Sequence, residues 1–264
     1  MMRIADEISL LALAVTAAAC GHPRPAPVPE PTERPAQVGT VIDAYSEAGA
    51  PIRLRVDAIE TDPEDPDHEL TLYGVSVQPA GSQQWAPYCS LDRNGRSRAI
   101  PIEGSWDARG TWTAGDGAIT FACTSGAIGK CLRFGYRPWK QVGGRSLRDH
   151  HLACVRMVRA DYCGDGTPHT RDGTRIDIYD PLGIQKRADD DPADPQIFEA
   201  GWSPAGATYL YRPRLSDRTA EIVAECPDKL AGRVPGEGEP PLETAEILRR
   251  FPETLLFNEH YIPK

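Results

Sequence analysis

The sequence lacks the short motifs that identify common hydrolases and nucleotide-binding proteins. It has no Gly-x-Ser-x-Gly turn, no His-Glu-x-x-His pair, no P-loop and no Gly-x-Gly-x-x-Gly after a predicted strand. Each of these motifs places a nucleophile, a metal or a phosphate on a defined turn or helix. The sequence therefore offers no catalytic residue, metal ligand or cofactor site that a motif would assign.

The sequence also has no apolar run that is long enough to cross a bilayer as a helix, which takes about 20 residues. The longest such run covers residues 8–19 and ends in three alanines. A run of this length is typical of the central part of a signal peptide. We therefore predict that residues 1–19 are a signal peptide and that the protein is exported.

Cys20 directly follows these alanines, which resembles the site where bacterial lipoproteins are cleaved and lipidated on cysteine. Two features depart from that pattern: Ala17 occupies a position that is usually leucine, and Asp6 and Glu7 oppose Arg3 near the start. The alternative is ordinary Ala-x-Ala cleavage, which leaves the cysteine free. We expect lipidation at Cys20, and hence a lipoprotein anchored in the outer membrane of the cell envelope.

Proline occupies many positions of residues 22–37. Because proline fixes φ and removes backbone donors, this segment should be extended polyproline II without a core of its own. At about 3.1 Å per residue, it would hold a domain roughly 50 Å from a membrane. We expect residues 20–38 to form the anchor cysteine and tether, and residues 39–264 to form a single globular domain.

Six of the seven cysteines follow the tether, and an even number in an exported chain predicts three disulfides. Zinc sites usually take ligands from closely spaced Cys-x-x-Cys pairs, and the sequence contains none. Six cysteines allow fifteen pairings, and the sequence does not choose among them. The six are Cys89, Cys123, Cys131, Cys154, Cys163 and Cys226.

The net charge of −9 at pH 7 disfavours binding to nucleic acid. The nearest approach to a basic patch is a set of four arginines that are interleaved with apolar and acidic residues. We interpret this set as a solvated helix face and expect no nucleic-acid partner. The four are Arg145, Arg148, Arg156 and Arg159.

Short alternating segments separated by many turns predict an α+β fold that is mainly antiparallel β. We expect one main helix at about residues 146–162, capped by Ser146, and short helices at 127–134 and 242–250. The helix should bury the face formed by Leu147, His151, Cys154, Val155 and Val158. Strands are predicted at residues 52–59, 69–78, 85–89, 99–103, 118–123, 174–179, 198–202 and 207–211, followed by an apolar segment at 254–257.

Ala160, Asp161, Tyr162 and Cys163 lie at the end of the predicted main helix. With their flanking blocks, these four residues resemble the ADYC-domain family, which is named after them. The resemblance covers about residues 70–257 and implies an exported protein, often a lipoprotein of myxobacteria and their relatives, with a cysteine framework. It implies no reaction. The flanking blocks are residues 121–123, 130–131, 135–139, 170–180 and 198–202.

Acidic and histidine side chains surround these four residues. Carboxylates in glycine-rich loops bind Ca²⁺, but the spacing here departs from an EF-type loop, and aspartate also forms turns by accepting hydrogen bonds from nearby backbone. We therefore expect turn-forming aspartates and no metal site, with Asp161 fixing the turn after the helix. The residues concerned are Asp161, Asp165, His169, Asp172 and Asp177.

Adjacent helix residues point about 100° apart, so His150 and His151 should not line one site. We interpret His151 as a buried, hydrogen-bonded histidine, the alternative being a catalytic base. Tryptophan is usually a core residue, whereas an exposed one would stack on a sugar ring. The tryptophans to which this choice applies are Trp106, Trp112, Trp139 and Trp202.

Two functions from different classes follow from these observations. The first is an envelope lipoprotein whose domain is a non-catalytic structural or binding module, joined to the membrane through Cys20 and bound to an envelope protein or a glycan. The alternative is an extracytoplasmic hydrolase that uses aspartate or histidine near residues 149–180. An enzyme should bring such groups together in a cleft, whereas a binding module should present an exposed patch.

Overall fold

The computed structural model describes residues 36–46, 49–107, 112–113, 117–171, 173–215 and 218–262. The predicted signal peptide, Cys20 and nearly all of the tether lie outside the described residues. Residues Ala36–Lys264 form one compact unit. None of the helices that the structure describes has the length and apolar content needed to cross a membrane.

The first half of the described chain forms an antiparallel sheet of six strands in the order β1-β2-β3-β5-β8, with β4 paired to β3. Apolar residues at alternate positions of β2, such as Leu54 and Val56, are buried on one face, which is why this segment forms a strand. We call this the first sheet. The strands of this half are β1 (Val41–Tyr45), β2 (Pro51–Thr61), β3 (Thr71–Pro79), β4 (Ala86–Pro87), β5 (Ala99–Glu103), β6 (Ser105–Trp106), β7 (Trp112–Thr113) and β8 (Ile119–Cys123).

The second half contains the helices and an antiparallel sheet, the second sheet, whose described strands run in the order β11-β14-β12-β13. The helices are α1 (Ala127–Arg133), α2 (Arg148–Arg159), α3 (Thr219–Glu225), α4 (Pro227–Leu230) and α5 (Thr244–Arg250). The strands are β9 (Gln141–Val142), β10 (Arg145–Ser146), β11 (Ile176–Tyr179), β12 (Gln196–Ser203), β13 (Gly206–Leu210) and β14 (Leu256–Tyr261).

The largest apolar core lies between α2 and the second sheet. Cys154 and Met157 of α2 are fully buried in one cluster with Ala200 and Trp202 of β12 and Leu210 of β13. Burying a large apolar side chain contributes about 1.5–3 kcal/mol. The packing of α2 on the second sheet therefore fixes the position of the residues that follow the helix.

The predicted α+β fold with mainly antiparallel strands is confirmed, but the predicted bounds of the main helix are wrong. The helix spans Arg148–Arg159 rather than residues 146–162. At its start, Ser146 pairs within β10, so Leu147 occupies the N-cap position and Ser146 does not. At its end, Ala160 adopts a left-handed conformation with φ 51°, which stops the helix before the acidic residue that follows.

Four segments show where the hydrophobic pattern was not informative. Strand β1 and helices α3 and α4 were not predicted, and β14 extends to Tyr261 beyond the predicted segment at 254–257. The extension of β14 was missed because this strand lies in the middle of the sheet, where the polar residues Asn258, Glu259 and His260 are all buried. A strand with buried polar residues has no apolar alternation to detect.

The six cysteines form three disulfides within the described residues, as predicted, and the structure supplies the pairing that the sequence left open. Cys89, which follows β4, pairs with Cys123 of β8, Cys131 of α1 pairs with Cys154 of α2, and Cys163 pairs with Cys226 between α3 and α4. Each disulfide of this kind typically stabilises a domain by about 2–4 kcal/mol, mainly by constraining the unfolded chain.

The pairing predicts the thiol content of the protein. In a Cys20→Ser variant of the full chain, purified without reductant and denatured, we expect no reaction with a thiol reagent. The same sample should give six thiols after reduction, which is the control for reagent access. Any free thiol before reduction, at one or more equivalents per chain, would contradict three closed disulfides.

Candidate functional site

The residues after α2 form a tight turn, residues 160–166, which we call the corner. The Ala160 N–H donates to Met157 O at 3.0 Å, and the Asp161 N–H donates to Arg156 O at 2.9 Å. These bonds satisfy carbonyl groups that a helix end otherwise leaves without a partner. The chain therefore leaves the helix in a defined direction.

Asp161 lies at the centre of the corner and is completely buried. Its carboxylate accepts from Arg156 Nη1 at 2.5 Å, from the Gly164 N–H at 2.8 Å and from the Gly166 N–H at 2.9 Å. Hydrogen bonds to a charged acceptor are stronger than those between neutral groups. This is the geometry required of a carboxylate that fixes a turn.

The corner lies directly against the turn between β12 and β13. Gly164 has φ +71°, and a Cβ atom there would lie 1.9 Å from the Ala205 carbonyl oxygen. Gly206 has φ +107°, and its Cβ would lie 2.6 Å from the Tyr162 carbonyl oxygen. Only glycine fits at either position, so the two backbones pack without an intervening side chain.

Tyr162 connects the corner to the second sheet. Its ring is fully buried and stacks on Trp202, with 5.3 Å between ring centroids. Its hydroxyl donates to Glu199 Oε1 at 3.0 Å and accepts from the Arg214 N–H at 3.1 Å. Burial, together with the charge of Glu199, raises the pKa of Tyr162 well above its ordinary value, so the phenol stays protonated.

Glu199 and Arg214 form a buried ion pair that sequence reasoning did not find. Arg214 Nε lies 2.9 Å and 2.8 Å from the two carboxylate oxygens, and Asn258 Nδ2 donates to Oε2 at 2.8 Å. Burial is the largest effect on the pKa of Glu199 and raises it, but Arg214 and His260 together hold the pKa below its ordinary value. The available signal was a single charged residue inside the otherwise apolar strand at residues 198–202.

A second connection joins the corner to α3. Cys163 is bonded to Cys226, and His169 Nε2 lies 2.8 Å from Glu225 Oε2. His169 Nδ1 also lies 3.2 Å from the Ala160 carbonyl oxygen, so this buried ring bridges the helix end and α3.

The aspartates considered as Ca²⁺ ligands have separate partners. Asp165 accepts from the Thr167 N–H at 2.8 Å, and Asp177 accepts from the Ala188 N–H at 2.8 Å. Asp172 lies outside the described residues. Within the residues that the structure describes, no group of His, Cys, Asp and Glu side chains could hold a metal ion.

Both helix histidines are buried against Tyr136, each on a different part of it. His151 Nδ1 lies 2.8 Å from the Tyr136 carbonyl oxygen, whereas His150 stacks on the Tyr136 ring at 6.4 Å between centroids. Burial lowers the pKa of His151 to about 4. His151 is therefore neutral at physiological pH and donates through Nδ1.

Two cavities among the described residues lie on the first sheet, and none of these buried groups lines either of them. An open groove of about 460 Å³ lies beside Tyr45 and Arg53 at the ends of β1, β2 and β3. A smaller cavity of about 160 Å³ lies beside Trp139, which is 52% exposed. By contrast, Trp202 is a core residue.

A comparison with models of known protein families finds one family whose match includes the corner. The model of the ADYC domain matches residues 36–216. The chain belongs to the ADYC-domain family. No curated protein and no solved structure matches it. The four residues after which the family is named all lie in the corner of this ADYC domain. Ala160 ends the helix, and Asp161 fixes the turn. Tyr162 stacks on Trp202, and Cys163 forms a disulfide.

The ion pair at the centre of the ADYC corner predicts the effect of Asp161→Asn. The substitution removes the carboxylate charge that Arg156 Nη1 contacts and turns an amide N–H toward backbone donors. We expect the free energy of unfolding to fall by about 2–4 kcal/mol, measured by urea denaturation. The control is Asp165→Asn, an exposed aspartate of the same corner, which should cost less than about 1 kcal/mol. Equal effects would contradict a special role for Asp161.

The depressed pKa of His151 predicts acid sensitivity of the ADYC domain. Unfolded histidine titrates near pH 6.5, so the unfolded state binds more protons than the folded state between about pH 6.5 and pH 4. Stability should therefore fall on acidification through this range, by roughly 3 kcal/mol from this group.

The variant His151→Asn isolates this contribution, because its amide can still donate to Tyr136 O but does not titrate. We expect the difference in unfolding free energy between wild type and variant to change by roughly 3 kcal/mol between pH 7 and pH 4. A difference that stays constant with pH would show that His151 is not buried in its neutral form.

Proposed function

We propose that the protein is an exported envelope lipoprotein that displays its ADYC domain as a non-catalytic structural or binding module. Residues 1–19 direct export, Cys20 carries the lipid, and residues 20–38 space the domain from the membrane. The observation that carries the non-catalytic assignment is the complete burial of Asp161, Glu199 and His151.

Burial matters because a general acid or base has to reach the proton that it transfers, within hydrogen-bond distance of a substrate. Asp161 and Glu199 are instead neutralised by Arg156 and Arg214. Carboxylates that are buried in ion pairs stabilise the fold and are not accessible to a substrate.

The alternative hydrolase would need aspartate and histidine side chains near residues 149–180 to converge. Asp165 accepts from the Thr167 N–H, Asp177 accepts from the Ala188 N–H, and His169 contacts Glu225. These separate contacts support the binding module over the hydrolase.

Export is supported by the three disulfides of the described residues, because such bonds persist outside the reducing cytosol. The short apolar run and the proline-rich segment support anchoring at Cys20. The partners proposed are therefore the membrane, through the lipid, and a protein or glycan of the envelope. The net charge of −9 argues against nucleic acid.

The anchoring part of the proposal is tested by Cys20→Ala. The wild-type protein should sediment with membranes and enter the detergent phase, whereas the variant should lack the acyl chains and remain in the aqueous phase. The disulfides of both proteins should be oxidised, which reports export independently. Equal fractionation of both proteins would refute lipid anchoring, and reduced cysteines in both would refute export.

A further inference from the structure

Trp139 is the one tryptophan of the described residues with more than half of its surface exposed, at 52%. It lies in the turn from Arg137 to Lys140, which is closed by the Lys140 N–H donating to Arg137 O at 2.9 Å. An exposed indole contributes little to the core, because most of its apolar surface remains in water. Packing in the core therefore does not account for a tryptophan at this position.

The turn that carries Trp139 is held rigidly on both sides. Arg137 is buried and binds Asp65 and Glu69, and Lys140 Nζ lies 2.6 Å from Glu69 Oε2. These ion pairs fix the residues before and after the indole. A rigid aromatic side chain at a surface binds a ligand with little loss of conformational entropy.

A cavity of about 160 Å³ lies beside the indole, between β3 and β5. These two strands pair at Tyr73 and Ala99, and Pro101 of β5 has no N–H with which to extend the ladder. The sheet is therefore open on this side of the pair. The cavity is lined, besides Trp139, by Glu69, Leu70, Thr71, Tyr73, Ile100 and Pro101.

The lining combines apolar surfaces with polar groups that are free to bind a ligand. The rings of Trp139, Tyr73 and Pro101 supply the apolar surfaces. The hydroxyls of Thr71 and Tyr73 have no hydrogen-bond partner among the described residues. A sugar ring has the matching chemistry, since its C–H groups stack on aromatic faces and its hydroxyls donate and accept at the ring edge.

Charge and size narrow the class of ligand. Beside the cavity, the cations Arg137 and Lys140 pair with the carboxylates Asp65, Asp67 and Glu69, so negative charge is in slight excess there. This balance disfavours an anionic ligand. The volume is below the roughly 300 Å³ at which sites for drug-sized ligands begin, so the cavity takes one ring and leaves the rest of a chain in solvent.

We propose that Trp139 and the cavity beside it bind one neutral pyranose ring of an envelope glycan. This inference rests on the proposed binding-module function and names the ligand class and the subsite of that function.

The test measures binding of cellotetraose, tetra-N-acetylchitotetraose and maltotetraose to the purified full-length protein by calorimetry, with an oligogalacturonate as the anionic comparison. We expect at least one neutral oligosaccharide to bind, and Trp139→Ala to weaken that binding at least tenfold without lowering the melting temperature. Trp139→Phe should retain part of the affinity, because a smaller ring still stacks. Thr71→Val, which removes one hydroxyl at nearly constant volume, should weaken binding as well.

The matched control is Leu91→Ala, which removes another exposed apolar side chain, 68% exposed, outside the cavity. It should leave binding unchanged. Absence of binding at millimolar concentration, equal binding by Trp139→Ala, or preference for the anionic oligosaccharide would each overturn the sugar subsite. Each of these results is separate from the fractionation of Cys20→Ala, so failure of the subsite is distinguished from failure of the envelope assignment.

Discussion

The buried charge of Glu199 is the constraint on which the second half of the fold depends. A carboxylate without solvent costs several kcal/mol unless it is paired and fully hydrogen-bonded. Its partners Arg214, Asn258 and Tyr162 come from three separate parts of the chain. Because Arg214 Nη1 also donates to Val158 O at 3.0 Å, the same pair holds the end of α2 on the second sheet. The corner, the helix end and β14 are thus positioned together.

Buried carboxylate–arginine pairs also hold a loop in the first half of the domain. Asp62 and Asp65, in the acidic loop between β2 and β3, are buried and bind Arg133 and Arg137 at the end of α1 and beyond it. Sequence analysis predicted only the strands on either side of this loop. The ion pairs attach this loop to α1 and to Arg137, the residue that begins the turn with the exposed Trp139.

The sequence predicted an element correctly where the spacing of its apolar residues depends only on that element. The alternation in β2 and the helical spacing in α2 record which face is buried, so both elements were predicted. It failed where the cause is distant in sequence, as in the pairing of the cysteines and the ion pair of Glu199 with Arg214. The end of α2 was predicted too late in the sequence because Ala160 adopts a positive φ, which is expected of glycine and not of alanine. Trp139 and Trp202 are one residue type with opposite exposures, and only the tertiary structure separates them.

The strand order of the second sheet also bears on when the domain can finish folding. Strand β14 lies between β11 and β12, yet it begins at residue 256, well beyond the family match that ends at 216. The neighbours of β14 are therefore synthesised long before the strand that separates them. This order postpones closure of the sheet until nearly all of the described residues have been synthesised.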